Sequence, residues 1–155
     1  MLTLLPDERP YGGKKAALGR GIAAAAGEII VTTDADCLPK PDWLKSIAGG
    51  FRDDVGMVSG PSPVRENGSF FHRFLAFDNL VGTIHMAAGF ALQHPVFSCG
   101  RNLAFRKKAF HQVGGYRDSA HINSGDDVFL TLAFRRKTVW RFAYVMNDAA
   151  FVPTQ

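Results

Sequence analysis

Cysteine is scarce in this chain: Cys37 and Cys99 are the only two in 155 residues. Two thiols cannot build a disulfide framework. That excludes a small stapled secreted module and leads us to expect a reducing compartment. There is no Cys-x-x-Cys pair, and the five histidines (His72, His85, His94, His111, His121) show no metal-ligand spacing, so no zinc site is expected. Long apolar runs are missing too. The longest candidate, Leu80 to Leu92, carries His85 and falls short of the roughly 18 residues of a membrane span. No basic stretch precedes the short run Leu2 to Leu5, so no signal peptide is expected, and the sequon Asn67-Gly68-Ser69 is discounted. An excess of one charge is also lacking. Eighteen Lys and Arg against fourteen Asp and Glu leave +4. This suits an anionic ligand such as a nucleotide diphosphate. It is too little to argue for nucleic acid.

What is present is apolar. Hydrophobic residues make up 46% of the chain and phenylalanine alone supplies thirteen, enough for one globular domain. Leu2 to Leu5 reads as a short strand and Pro6 to Gly13 as turn-rich. Lys14 to Ala26 is an alanine-rich helix that Gly27 stops. Glu28 to Thr33 is a β-branched strand. Pro41 opens a helix to about Phe51, and Val55 to Gly60 is a strand closed by Pro61-Ser62-Pro63. Phe70 to Leu92 is helical by pattern. Val96 to Arg106 reads as a strand with a polar interruption. Lys107 to Val113 and Asp126 to Lys137 are helices, and Val139 to Val145 closes as a strand. Strands alternating with helices predict an α/β fold, largely parallel at its start and mixed afterwards.

Four clusters can carry chemistry. Asp34-Ala35-Asp36 follows the first buried strand directly. Ligands of open α/β sheets bind at the carboxyl ends of strands. Two carboxylates at i and i+2 of an extended chain share a side, where they can hold Mg²⁺ or Mn²⁺ against a diphosphate. The same triplet also reads as a turn. Ser124-Gly125-Asp126-Asp127 precedes an apolar helix. It reads as a capping box from Ser124 to Asp127, or as a carboxylate base for an acceptor hydroxyl. Gly12-Gly13-Lys14-Lys15 opens a helix, where cations oppose the macrodipole. It is either a solvated basic face or the partner of an anion. Gly100, Arg101 and Asn102 interrupt a strand, as a bulge or as contacts to phosphate or sugar hydroxyls. Trp43 and Trp140 read as core or rim aromatics. Gly19-Arg20-Gly21 matches the start of a dinucleotide fingerprint, but it lies inside a helix and precedes the strand, so it is rejected.

The order of these clusters resembles the family 2 glycosyltransferases of the GT-A fold. Gly13-Lys14-Lys15-Ala16-Ala17-Leu18, Gly27-Glu28-Ile29-Ile30, Thr33-Asp34-Ala35-Asp36-Cys37 and Pro41-Asp42-Trp43-Leu44 carry the resemblance. So do Gly100-Arg101-Asn102-Leu103-Ala104-Phe105-Arg106-Lys107, Gly114-Gly115-Tyr116 and Gly125-Asp126-Asp127-Val128-Phe129-Leu130. The resemblance implies a mixed sheet flanked by helices. It implies a nucleotide-diphospho-sugar donor and Mn²⁺ or Mg²⁺ on Asp36 with Asp34. Asp127 is implied as the base of an inverting transfer, with Asp126 beside it where the family more often has Glu. Lys14 or Lys15 matches the basic residue that opens the helix, and Asn102, with Gly100 and Arg101, matches the sugar pocket.

Met1 to Gly13 supplies none of the family's strands for base and ribose. The expectation is therefore a single partial domain over 1–155, incomplete at its N-terminus and inactive alone. The acceptor is expected to be a glycan or a lipid-linked hydroxyl. The location is expected to be cytoplasmic, including the cytoplasmic face of a membrane if the parent protein is attached there. An exposed sheet edge predicts a homo-oligomer. Two other readings stay open. One is a metal-dependent phosphatase with Asp34 as nucleophile and Asp36 as acid. The other is a non-catalytic, self-associating binding module.

Overall fold

The structure is a computed structural model, described here for residues 13–65, 68–122 and 124–154. The expected strand over 2–5 and Asn67 of the sequon lie outside these residues. The elements run α1 (Gly13–Ala24), β1 (Ile29–Thr32), α2 (Trp43–Ala48), β2 (Val55–Ser59), α3 (Phe70–Ala91), β3 (Leu103–Arg106), α4 (Lys107–Gln112), α5 (Asp126–Lys137) and β4 (Arg141–Tyr144). Short 3₁₀ turns cover Gly100–Asn102, Arg117–Ser119 and Asp148–Ala150.

The four strands form one mixed sheet in the order β1-β3-β2-β4. The first two strands run the same way but do not touch. β3 returns after α3 and inserts antiparallel between them, pairing Ile30 with Phe105 on one side and Met57 with Phe105 on the other. β2 and β4 pair in parallel. The alternation of each strand divides the core. Ile30, Met57, Phe105 and Phe142 face α3, α4 and α5, packing on Phe90, Phe110 and Phe134. Ala104, Val55 and Val58 face α2, packing on Trp43, Ile47 and Val152.

Val55 and Val58 share a face only because the β2–β4 register shifts between Val55 and Met57. The extra residue is Gly56, and a bulge of this kind resets the two-residue period. A Cβ at Gly56 would lie 2.5 Å from Trp140 Cβ, an atom fixed to backbone. Gly56→Ala is therefore expected to cost about 1–3 kcal/mol by overpacking. A fall in the urea midpoint with an unchanged slope checks this.

Three expected elements differ. The strand expected over Val96–Arg106 is confined to Leu103–Arg106, because Gly100–Asn102 curls into a 3₁₀ turn. The helix expected from Pro41 begins at Trp43 and has six residues, since Trp43 N–H closes a turn on the Lys40 carbonyl. α1 ends at Ala24, short of Gly27. Among the described residues one helix, α3, is long and apolar enough to cross a membrane by length and composition. It spans more than the Leu80 to Leu92 run read from sequence.

Candidate active site

The site is assembled where β1 ends and α5 begins. Thr32 Oγ1 donates to the Gly100 carbonyl at 2.8 Å, with the Leu103 carbonyl at 3.2 Å. This stitches the end of β1 to the turn that leads into β3. Within that turn, Gly100 N–H donates to Asp127 Oδ2 at 2.8 Å. The other oxygen, Oδ1, accepts Val128 N–H at 2.8 Å. Asp127 lies in the first turn of α5, where the helix dipole stabilises a carboxylate. Thr131 fixes it from behind: its hydroxyl lies 2.8 Å from the Asp127 carbonyl and 2.7 Å from Ser98 Oγ. Each carboxylate oxygen of Asp127 has one lone-pair direction committed to backbone, and each keeps another.

Lys14, Thr33, Asp34, Gly100, Asp126 and Asp127 line one small cavity with Tyr116 at its wall. Lys14 Nζ donates to Asp34 Oδ1 at 2.8 Å. That hydrogen bond holds the Lys14 ammonium above its usual range; Asp126 and Asp127 reinforce it and burial opposes it. One cation thus faces carboxylates from two elements. Burial pushes the Tyr116 hydroxyl well up, with Asp126 and Asp127 adding to the shift, so it stays protonated as a donor.

Asp36 is placed differently. The chain is not extended after β1: Cys37 N–H donates to the Asp34 carbonyl, closing a turn over 34–37. The two carboxylates therefore take partners on different elements. Asp34 meets Lys14 of α1, while exposed Asp36 accepts from Thr154 Oγ1 at 3.1 Å. The expectation that both point to one side by strand geometry does not hold.

Four further expectations change. Lys15 is 1% exposed. Its ammonium donates to the carbonyls of Ser119 and Ile122, both at 2.8 Å, and lies over the Phe129 ring. It ties α1 to the segment before α5 and is not available to a bound anion. Asn102 is fully buried. Its amide donates to the carbonyls of Pro61 and Ala150 and its oxygen accepts from Trp43 Nε1, so it joins α2 to the segments that follow β2 and β4. The capping box does not form: Gly125, at φ 71°, is the N-cap, and Asp127 turns to Gly100. Arg101 is half-buried, with its Nε 3.4 Å from Cys99 Sγ, and does not line the cavity.

Thr32, Thr131 and Thr154 were not singled out from sequence. Each acts through a partner at least 29 residues away or by back-bonding in a helix, and no local pattern marks such contacts. Tyr116 had a signal, the Gly114-Gly115 pair before it. Both glycines have positive φ and turn the chain so that Tyr116 packs under the cavity.

Among the described residues no group of three or more side chains is arranged to hold a metal ion. Asp34 and Asp36 have the carboxylate chemistry of ligands to a hard cation that arrives with its substrate, although their present partners lie on different elements. Mg²⁺ and Mn²⁺ are commonly held by one or two carboxylates, with phosphates and water completing the shell.

Comparison with known proteins places this geometry. Glucosyl-dolichyl phosphate glucuronosyltransferase of Haloferax volcanii is 26% identical over 102 residues, covering 63% of this chain and 32% of the relative. A mannosyltransferase from Pyrobaculum calidifontis, solved with GDP-Man and Mn²⁺, superposes with a TM-score of 0.60 at 23% identity, covering 91% of this chain and 36% of that one. Glucosyl-3-phosphoglycerate synthase from Mycobacterium tuberculosis gives 0.54 at 19% identity, covering 99% and 49%. The chain thus spans a third to a half of the length of these proteins. Its mixed α/β sheet is that of the GT-A glycosyltransferases. The family model for glycosyl transferase family 2 matches residues 3–114, and the chain belongs to that family.

Proposed function

We propose that this region carries the diphosphate and acceptor sides of a glycosyltransferase. It would move a sugar from a nucleotide-diphospho-sugar to an acceptor hydroxyl with inversion. The observation that carries the reading is Asp127. Its carboxylate is fixed by two backbone N–H groups and shares one cavity with the Lys14–Asp34 pair.

The chemistry follows from charge. The acceptor hydroxyl gives its proton to Asp127 as its oxygen bonds to the anomeric carbon. The bond from that carbon to the diphosphate breaks on the opposite face, and the electron pair leaves with the phosphate. Lys14 places positive charge near the leaving group, and Tyr116 supplies a hydroxyl that does not ionise. A divalent cation held by Asp36, with Asp34, would supply neutralisation of the departing diphosphate. Asp126, beside Asp127, adds negative charge that keeps an attacking hydroxyl oriented by its proton.

The named relatives support a donor of the GDP-Man or UDP-Glc class and an acceptor that includes lipid-linked sugars. A lipid-linked acceptor would place the enzyme at a membrane surface. Because the chain spans only part of its relatives, transfer by this region alone is expected to be weak. The phosphatase reading is less favoured, because the family match over residues 3–114 is to glycosyl transferase family 2.

Transfer from GDP-mannose, UDP-glucose or UDP-glucuronic acid, followed by chromatography with and without Mn²⁺, tests the proposal. In the active enzyme, Asp36→Ala is expected to lower turnover by about 10²-fold or more and to remove the dependence on added metal. Hydrolysis of p-nitrophenyl phosphate in place of sugar transfer would contradict the assignment.

A further inference from the structure

α3 has two opposite faces. Asn79, Met86 and Phe90 lie on one, with Asn79 bonded to the Ser62 carbonyl and Met86 and Phe90 in the core. The other face is apolar and exposed. Phe70, Phe74, Phe77, Val81, Ile84 and Ala88 recur alternately four and three residues apart along it. Phe70 is 86% exposed and Phe77 64%. With Phe71 and Leu80 alongside, the face offers roughly 600–800 Å² of apolar surface. That exceeds the usual patch on a monomer and matches about one partner's share of a stable interface.

A four–three repeat is the seam of a two-stranded coiled coil. Taking Phe74 and Val81 as a positions and Phe70, Phe77 and Ile84 as d, Arg73 falls at g and Asp78 at e. Both are exposed, five residues apart. In a parallel pair, g of one helix lies beside the following e of its partner, so Arg73 meets Asp78 twice by symmetry. In an antiparallel pair e faces e, and the two Asp78 carboxylates would repel.

We propose that two copies of this chain pair through α3, in parallel, about a two-fold axis along the seam. The domains then sit on opposite sides of the axis, because the seam is opposite the buried face. A membrane is a poorer occupant. Interfacial helices carry many Lys and Arg on their polar face, whereas here that face packs on the domain and Arg73 is balanced by Asp78.

Sedimentation equilibrium of the chain at micromolar concentration is expected to give twice the 16.9 kDa of one copy. Phe74→Glu with Phe77→Glu gives a monomer with the same circular dichroism spectrum. Arg73→Glu alone raises the dimer Kd roughly tenfold; Arg73→Glu with Asp78→Arg restores it. Phe70→Cys cross-links to its own counterpart under mild oxidation, where the unaltered chain does not. A monomeric chain overturns the proposal. So does a dimer that survives Phe74→Glu with Phe77→Glu. A dimer lost with Arg73→Glu but not restored by Asp78→Arg overturns the parallel register. Co-sedimentation of a monomer with phosphatidylcholine vesicles containing phosphatidylglycerol, lost in the double glutamate variant, assigns the face to a membrane instead.

Discussion

Replacing Asp127 by asparagine is expected to lower the turnover of sugar transfer by about 10²–10⁴-fold, the range removed with a general base. Donor affinity is expected to hold within a few-fold, because the role proposed for Asp127 is toward the acceptor. The substitution also has a structural cost. Both oxygens of Asp127 accept backbone N–H groups, from Gly100 and Val128. An asparagine offers one oxygen and one amide, so one backbone donor loses its acceptor, at about 1–3 kcal/mol. The two effects separate experimentally. A melting curve reads the second, and turnover at saturating donor and acceptor, well below the midpoint, reads the first. Turnover that falls only in proportion to the folded fraction would remove Asp127 from the chemistry.

Lys15→Met is expected to be the most destabilising single change at the site, although Lys14→Met beside it is nearly silent for stability. The adjacent lysines point to opposite environments. Lys14 is half-exposed and pairs with Asp34, an interaction worth about 0–1 kcal/mol after screening by solvent. Lys15 is buried on two carbonyls. Its loss leaves both without a donor, at roughly 2–4 kcal/mol. In a domain of this size that lowers the melting temperature by about 5–15 °C. Those carbonyls belong to the segment that leads into Gly125, Asp126 and Asp127, so activity near the midpoint falls with it. The opposite pattern is expected for turnover at low temperature, where Lys14→Met is the more damaging. Differential scanning calorimetry of the two variants reads the stability order, and turnover at low temperature reads the reverse order.

The adjacent lysines also mark where sequence reading stops. That Lys14 and Lys15 open a helix was legible from Gly13 and the alanines that follow. Which of them turns inward was not, because that depends on carbonyls more than a hundred residues away. The same contrast holds elsewhere. α5 begins and ends where its acidic first turn and basic last turn predict, since those signals are local. Gly100–Asn102 was read within a strand, yet the Thr32 hydroxyl and the Asp127 carboxylate hold it as a turn. Asn102 looked like a polar residue awaiting a ligand and is a buried joint between loops. The helical pattern of Phe70 to Leu92 was legible. That its aromatic side faces outward was not, because an apolar stripe reads the same whether it meets the core or a partner.

The proposed chemistry is a single displacement at the cavity between β1 and α5, with Asp127 as base. Proton NMR of the first product formed from an α-linked nucleotide-sugar tests this most directly. A single displacement gives a β-linked product, with the nucleoside diphosphate released in equal amount and both reduced about 10²–10⁴-fold in the Asp127→Asn variant. An α-linked product, or transfer undiminished by that variant, would contradict it.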